Sequence, residues 1–96
     1  MNFTIHDAEI APGWQPVITR LLNMLAKVKG LEVHQIKQKF GGLRCYTNND
    51  HSLEVIDIVD YFDVICQVTC EVCGERGERW KQTSGWISVV CRKHRK

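Results

Sequence analysis

Three cysteines and a histidine fall within one stretch, TCEVCGERGERWKQTSGWISVVCRKH, running from Thr69 to His94. Cys70-x-x-Cys73, then 17 residues, then Cys91-x-x-His94 is the spacing of the two knuckles of a zinc ribbon. Two ligands three residues apart on a tight turn can grip one tetrahedral ion, and a hairpin that joins two such turns fills its four positions. Gly74, directly after the first pair, suits the backbone conformation of such a turn. With four protein ligands no position remains for an activated water, so the expected ion is a structural Zn²⁺. It can contribute on the order of 10 kcal/mol to folding. Three thiolates and a neutral imidazole would leave one net negative charge around Zn²⁺, which Arg92 and Lys93 beside the last ligands would partly offset. His94 sits near the end of the sequence, where chains fray, so His34, His51 and Cys66 stand as alternatives for the fourth ligand. Cys45 and Cys66 otherwise read as core residues.

Other reactive patterns are missing from the sequence. A zinc deaminase needs His-x-Glu upstream of Pro-Cys-x-x-Cys, and here Thr69 precedes Cys70. There is no HExxH, phosphate loop or nucleophile elbow. Glu54, Asp57, Asp60 and Asp63 follow one another at three-residue steps that rotate around a helix, which favours a solvated face over a magnesium site. The reading is therefore of a protein that is not an enzyme, with a zinc-dependent enzyme, which would need an open zinc position, as a third reading behind two binding functions.

The elements that must position these residues follow from periodicity. Residues 1–13 form an irregular arm or short strand closed by Ala11-Pro12-Gly13. Trp14 reads as a staple at the start of a helix over 16–29, with Pro16 in its first turn, Ile18, Leu21, Leu22, Leu25 and Val28 on one face, and Gly30 as the stop. Lys27 and Lys29 would complement its dipole. Gly41-Gly42 is expected to turn a hairpin in which Phe40 pairs with Leu43. That puts Ile36, Gln38, Cys45 and Thr47 on a mostly apolar face and Lys37, Lys39, Arg44 and Tyr46 on the other. After the turn Asn48-Asn49-Asp50, Ser52 caps a second helix to about Gln67. Arg79–Gln82 and Trp86–Val90 form the ribbon hairpin around Thr83-Ser84-Gly85, with at least one ribbon tryptophan covering it. The expected fold class is α+β: helix, β-hairpin, helix, then C-terminal zinc ribbon. Residues 1–68 are the α+β core and 69–96 the ribbon packed on it as one unit.

At 96 residues and a formal net charge of +2, the chain is short enough to need a staple beyond its core, and carries no global field that would drive it onto nucleic acid or membrane. The first residues lack the pattern of a signal peptide, and no apolar run is long enough for a membrane span. An odd count of five cysteines argues against a disulfide framework, so the expected setting is the cytoplasm.

The order GWQPVITRLL, IKQKFGGLRCY, TCEVCG, GWISVVCRKH resembles a group of small, mostly uncharacterised proteins carried by bacteriophages and prophages, with a KFGGLR hairpin and a terminal zinc knuckle pair. The resemblance spans about residues 13 to 94 and implies zinc and a bacterial cell, phage-encoded in origin. Cys45 stands where that group more usually has an aromatic residue. It implies no particular activity.

Two binding functions compete on the sequence. Lys37, Lys39, Arg44 and Tyr46, with Arg92, Lys93, Arg95 and Lys96 at the C-terminus, are the cations and aromatic of a nucleic-acid-binding face. Trp80 or Trp86 could add a stacking surface. The alternative is a protein-interaction adaptor, or a phage-encoded inhibitor of a host protein, since a rigid metal-fixed module binds with little ordering cost.

Overall fold

A computed structural model describes residues 3–49 and 51–95. Met1, Asn2, Asp50 of the turn after the hairpin and Lys96 of the basic tail lie outside the described residues. The chain is α+β, with two helices and two separate two-stranded antiparallel sheets: α1 Gln15–Leu25, β1 Val33–Lys39, β2 Gly42–Thr47, α2 Leu53–Cys66, β3 Glu78–Lys81 and β4 Ile87–Val90.

The arm is more structured than its composition suggests. A 3-10 turn at Ile5–Asp7 leads to Glu9, which bridges Lys37 of β1 in parallel, and a second 3-10 turn, Pro12–Trp14, starts α1. Val17, Ile18, Leu21, Leu22 and Leu25 bury one face of α1. The helix ends at Leu25, four residues short of the expected 29. From there the Lys27 and Val28 amides donate back three residues, to Met24 and Leu25, so the chain tightens into turns before Gly30 reverses it at φ 74°.

Trp14 does more than staple the helix. Its ring is fully buried, and its indole Nε1 donates to the Thr69 carbonyl at 2.7 Å, tying the start of α1 to the residue before the first metal knuckle. At the second helix, the Ser52 hydroxyl accepts from the Val55 N–H as an N-cap should. Val55, Phe62 and Cys66 point inward from α2. With α1, Leu31, Val33, Ile36, Leu43 and Val89 they make the main core. Each such large apolar side chain contributes about 1.5–3 kcal/mol on burial.

The first hairpin turns one residue earlier than the glycine pair suggests. Lys39 pairs with Gly42, Gln38 with Leu43, Lys37 with Arg44 and Ile36 with Cys45, so the loop is Phe40-Gly41, not Gly41-Gly42. Both loop residues have positive φ, 53° and 76°, as a tight hairpin of this hand requires. The second sheet meets this loop. Arg79 Nη2 donates to the Phe40 carbonyl at 3.0 Å, and a Cβ on Gly41 would lie 3.4–3.5 Å from Arg79 Nε and the Ile87 and Val89 side chains. The expected division of faces survives, because the slip moves partners by two: Ile36, Gln38, Leu43 and Cys45 share one face, Lys37, Lys39 and Arg44 the other.

Asp63 departs from the solvated-face reading. It is half-buried, its Oδ1 accepts from the Leu43 N–H at 2.8 Å, and its Oδ2 accepts from Gln67 Nε2 at 3.1 Å. One acid of the α2 series thus anchors β2 to the helix.

Candidate metal centre

The segment after α2 folds back on itself. Thr69 bridges Arg76, the Cys70 N–H donates to the Glu75 carbonyl at 2.6 Å, and the Gly77 N–H donates to Val68 at 2.8 Å. Cys70 and Cys73 therefore sit at the tip of a miniature hairpin, closed by the Gly74 N–H on the Cys70 carbonyl, with Gly74 at φ 82°. A second anchor comes from β4, whose Val89 carbonyl accepts the Glu71 N–H at 2.8 Å. The Gly13 N–H donates to the Glu71 carbonyl, and Gln38 bridges the Ala11 N–H to the Glu71 carboxylate. β4 leads directly to the second knuckle, a 3-10 turn Arg92–His94 after Cys91.

These anchors bring four ligand atoms together. The sulfurs of Cys70, Cys73 and Cys91 and a ring nitrogen of His94 all lie within 4.8 Å of one another. Cys73 Sγ is 3.7 Å from Cys91 Sγ, and His94 Nδ1 lies 3.6 Å from Cys70 Sγ and 3.1 Å from Cys91 Sγ. A tetrahedral ion with metal–sulfur bonds of about 2.3 Å and metal–nitrogen bonds of about 2.0 Å would separate its sulfurs by about 3.8 Å and sulfur from nitrogen by about 3.5 Å. The group has the size of one metal coordination sphere, and the distance short of that ideal lies between residues on the same knuckle. Among the described residues it is the one such cluster, and His94, not His34, His51 or Cys66, completes it. All five cysteines are free of disulfides.

The electrostatics favour a cation. Burial works against the Cys70 thiolate, but backbone N–H groups of Cys73, Cys91 and Val72 and the Cys73 side chain outweigh it, bringing the thiol from 9.0 down to about 6. At Cys73 the Glu75 backbone favours the thiolate, yet desolvation and the Cys70 and Cys91 sulfurs prevail and the thiol is raised. One site cannot hold three uncompensated thiolates, whereas a divalent ion among them relieves the conflict. Cys66 is different: burial, then the charge of Asp63, push its thiol up to about 12, and it belongs to the main core.

The basic candidates divide into two places. Lys37 and Arg44 stand opposite each other on the first hairpin, with Lys39 and an exposed Tyr46 on the same element and the Lys37 ammonium 5.8 Å from the Tyr46 ring centre. Arg92 and Lys93 lie on the last metal knuckle, where Lys93 makes a long contact of 3.9 Å with Glu75. Both ribbon tryptophans are partly exposed: Arg95 packs over Trp80 at 4.8 Å, and Trp86 meets Phe40 at the tip of the first hairpin, ring centres 6.0 Å apart. Sequence reasoning did not single out Phe40. The signal that could have found it is an aromatic beside a glycine in the loop of a basic hairpin.

Fold and site together define a small α+β protein with a Cys₃His cluster of metal-binding geometry. Compared with known proteins, the chain matches no family, no curated protein and no solved structure. Among the described residues, no helix is long and apolar enough to cross a membrane.

Proposed function

We propose that Cys70, Cys73, Cys91 and His94 hold a structural Zn²⁺, and that the protein is a binding module, not an enzyme, which presents the first hairpin to single-stranded nucleic acid. The thiolate-rich, four-ligand set suits Zn²⁺ and leaves a tetrahedral ion no open position. The observation that carries the nucleic-acid reading is the pairing of Lys37 with Arg44. Like charges directly opposite on a two-stranded sheet cost stability, and neither residue forms an ion pair among the described residues. Phosphate is the partner that such a pair lacks. Tyr46, Phe40 and Trp86, each about half exposed, supply aromatic faces on which bases can stack beside those cations. The KFGGLR resemblance would set this module in the cytoplasm of a bacterial cell, encoded by a phage.

Fluorescence anisotropy of a labelled single-stranded oligonucleotide, titrated with the zinc-loaded protein over a range of salt, tests the reading. Three contacting cations, Lys37, Lys39 and Arg44, give an expected log–log salt slope of about −2, from about −0.7 per neutralised phosphate. Arg44→Glu should flatten that slope and weaken binding about tenfold or more. Unchanged affinity in Arg44→Glu, with metal content intact, would overturn the reading.

A second reading rests on α2. Leu53, Tyr61, Val64 and Val68 are exposed along one side of that helix and its end, from 49% to 77%. A stripe of this kind fits a host-protein partner, and Val64→Asp should then abolish capture of that partner while leaving oligonucleotide binding unchanged.

A further inference from the structure

The far side of the metal hairpin carries a feature that the nucleic-acid reading does not use. Three arginines, Arg76, Arg92 and Arg95, line a hollow of about 180 Å³ together with Glu78 and the metal ligand Cys91. They come from different parts of the fold: Arg76 from the return arm of the first knuckle, Arg92 and Arg95 from the second knuckle and just beyond it. One carboxylate faces three guanidinium groups. Glu78 Oε2 is taken by Arg95 Nη2 at 3.1 Å, while Arg76 and Arg92 form no ion pair among the described residues.

Arg95 is held in advance of any ligand. Its guanidinium lies over the Trp80 ring at 4.8 Å and is fixed at one end by Glu78. Its Nε is buried and has no hydrogen-bond acceptor. The negative charge of a zinc-loaded Cys₃His centre would offset one cation of the cluster and Glu78 offsets another, which leaves one net positive charge on the hollow.

We propose that this hollow is a phosphate-binding site: a tetrahedral oxyanion accepts from the guanidinium groups of Arg76, Arg92 and Arg95, the three arginines that line it. Guanidinium groups match that ligand because their parallel N–H donors reach two of its oxygens at once. The phosphate could be free in solution or the terminal group of a nucleic-acid strand, and the two sources share this chemistry. The site is independent of the basic face of the first hairpin, so either can stand without the other.

The test is isothermal titration of the zinc-loaded protein with inorganic phosphate at constant ionic strength. Circular dichroism and zinc content establish that each variant is folded. The expected result is saturable one-site binding that Arg76→Gln and Arg92→Gln each weaken by about tenfold or more. A second arm compares 5′-phosphorylated with 5′-hydroxyl oligonucleotides. A preference for the phosphorylated strand that disappears in Arg76→Gln identifies a strand end as the source, whereas inorganic phosphate binding without that preference identifies a free ion. Absence of phosphate binding in both arms, or binding that survives both arginine substitutions, overturns the proposal.

Discussion

Gly13→Ala should damage the metal centre from 57 positions away in sequence, since Cys70 is its victim. Gly13 is not in the left-handed region, so alanine meets no backbone strain there; the obstacle is steric. A Cβ would run into the Cys70 carbonyl oxygen and lie 2.6 Å from the Glu71 carbonyl carbon and 2.8 Å from its oxygen. These are backbone atoms of the first knuckle, and they cannot swing aside as a side chain does. Overpacking of this kind costs about 1–3 kcal/mol. Separating arm and knuckle also weakens the Gly13 N–H bond to Glu71 and the buried Trp14 bond to Thr69, worth about 1 kcal/mol each when made and more when a buried group is left unpaired. The expected loss is about 3–5 kcal/mol in denaturant unfolding of the metal-loaded protein. Metal affinity should also fall, read by competition with a chromophoric chelator, because the Cys70 carbonyl that is pushed aside also closes the ligand turn through the Gly74 N–H. Gly30→Ala is the control: Gly30 has φ 74° and open space around its missing Cβ, so only the left-handed backbone is penalised, by about 1–2 kcal/mol. If Gly13→Ala costs no more than Gly30→Ala and leaves metal affinity unchanged, the account of arm-to-knuckle packing is wrong.

Asp63→Ala should orphan the Leu43 N–H and cost about 1–3 kcal/mol by equilibrium unfolding, whereas a loss under 0.5 kcal/mol would make Asp63 a mere surface acid. The Cys66 thiol, raised from 9.0 to about 12, favours the fold below pH 9 and loses that contribution as pH rises from 9 through 12. Iodoacetamide at pH 8.5 should therefore leave Cys66 unmodified in the native protein and label it only on unfolding, as read by peptide mass spectrometry. Cys73→Ser should strip the metal, lower the melting temperature and remove amide-exchange protection from β3 and β4; unchanged metal content and melting would refute the site.

The Cys₃His cluster was legible because knuckle spacing is a local property: the distance between two such residues on one turn depends on few others. Helix periodicity likewise placed α1 and α2, although the Val and Ile residues of α2 also suit a strand. What escaped was fixed from far along the chain. Gly41-Gly42 is the cheaper loop considered alone, and the contacts that Phe40-Gly41 makes with Arg79, Ile87 and Val89, folded over from the second sheet, have no local sign. Asp63 looks like any acid in its row, and the N–H it receives comes from 20 residues upstream. Trp14 announces a helix start, but its acceptor at Thr69 has no local sign.

The same contacts bind the metal centre to the proposed recognition face. A bulky residue at positive φ such as Phe40 costs on the order of 1–3 kcal/mol, and it persists where the surroundings over-determine it. Here the surroundings are the Arg79 hydrogen bond, the Trp86 ring and the packing of Gly41 on β4, all of which belong to the hairpin between the two knuckles. On the proposed zinc reading, chelation should loosen that hairpin and with it the contacts that hold Phe40 at positive φ, so amide exchange at Phe40 and Gly41 should quicken when the metal is removed; unchanged exchange there would refute the coupling.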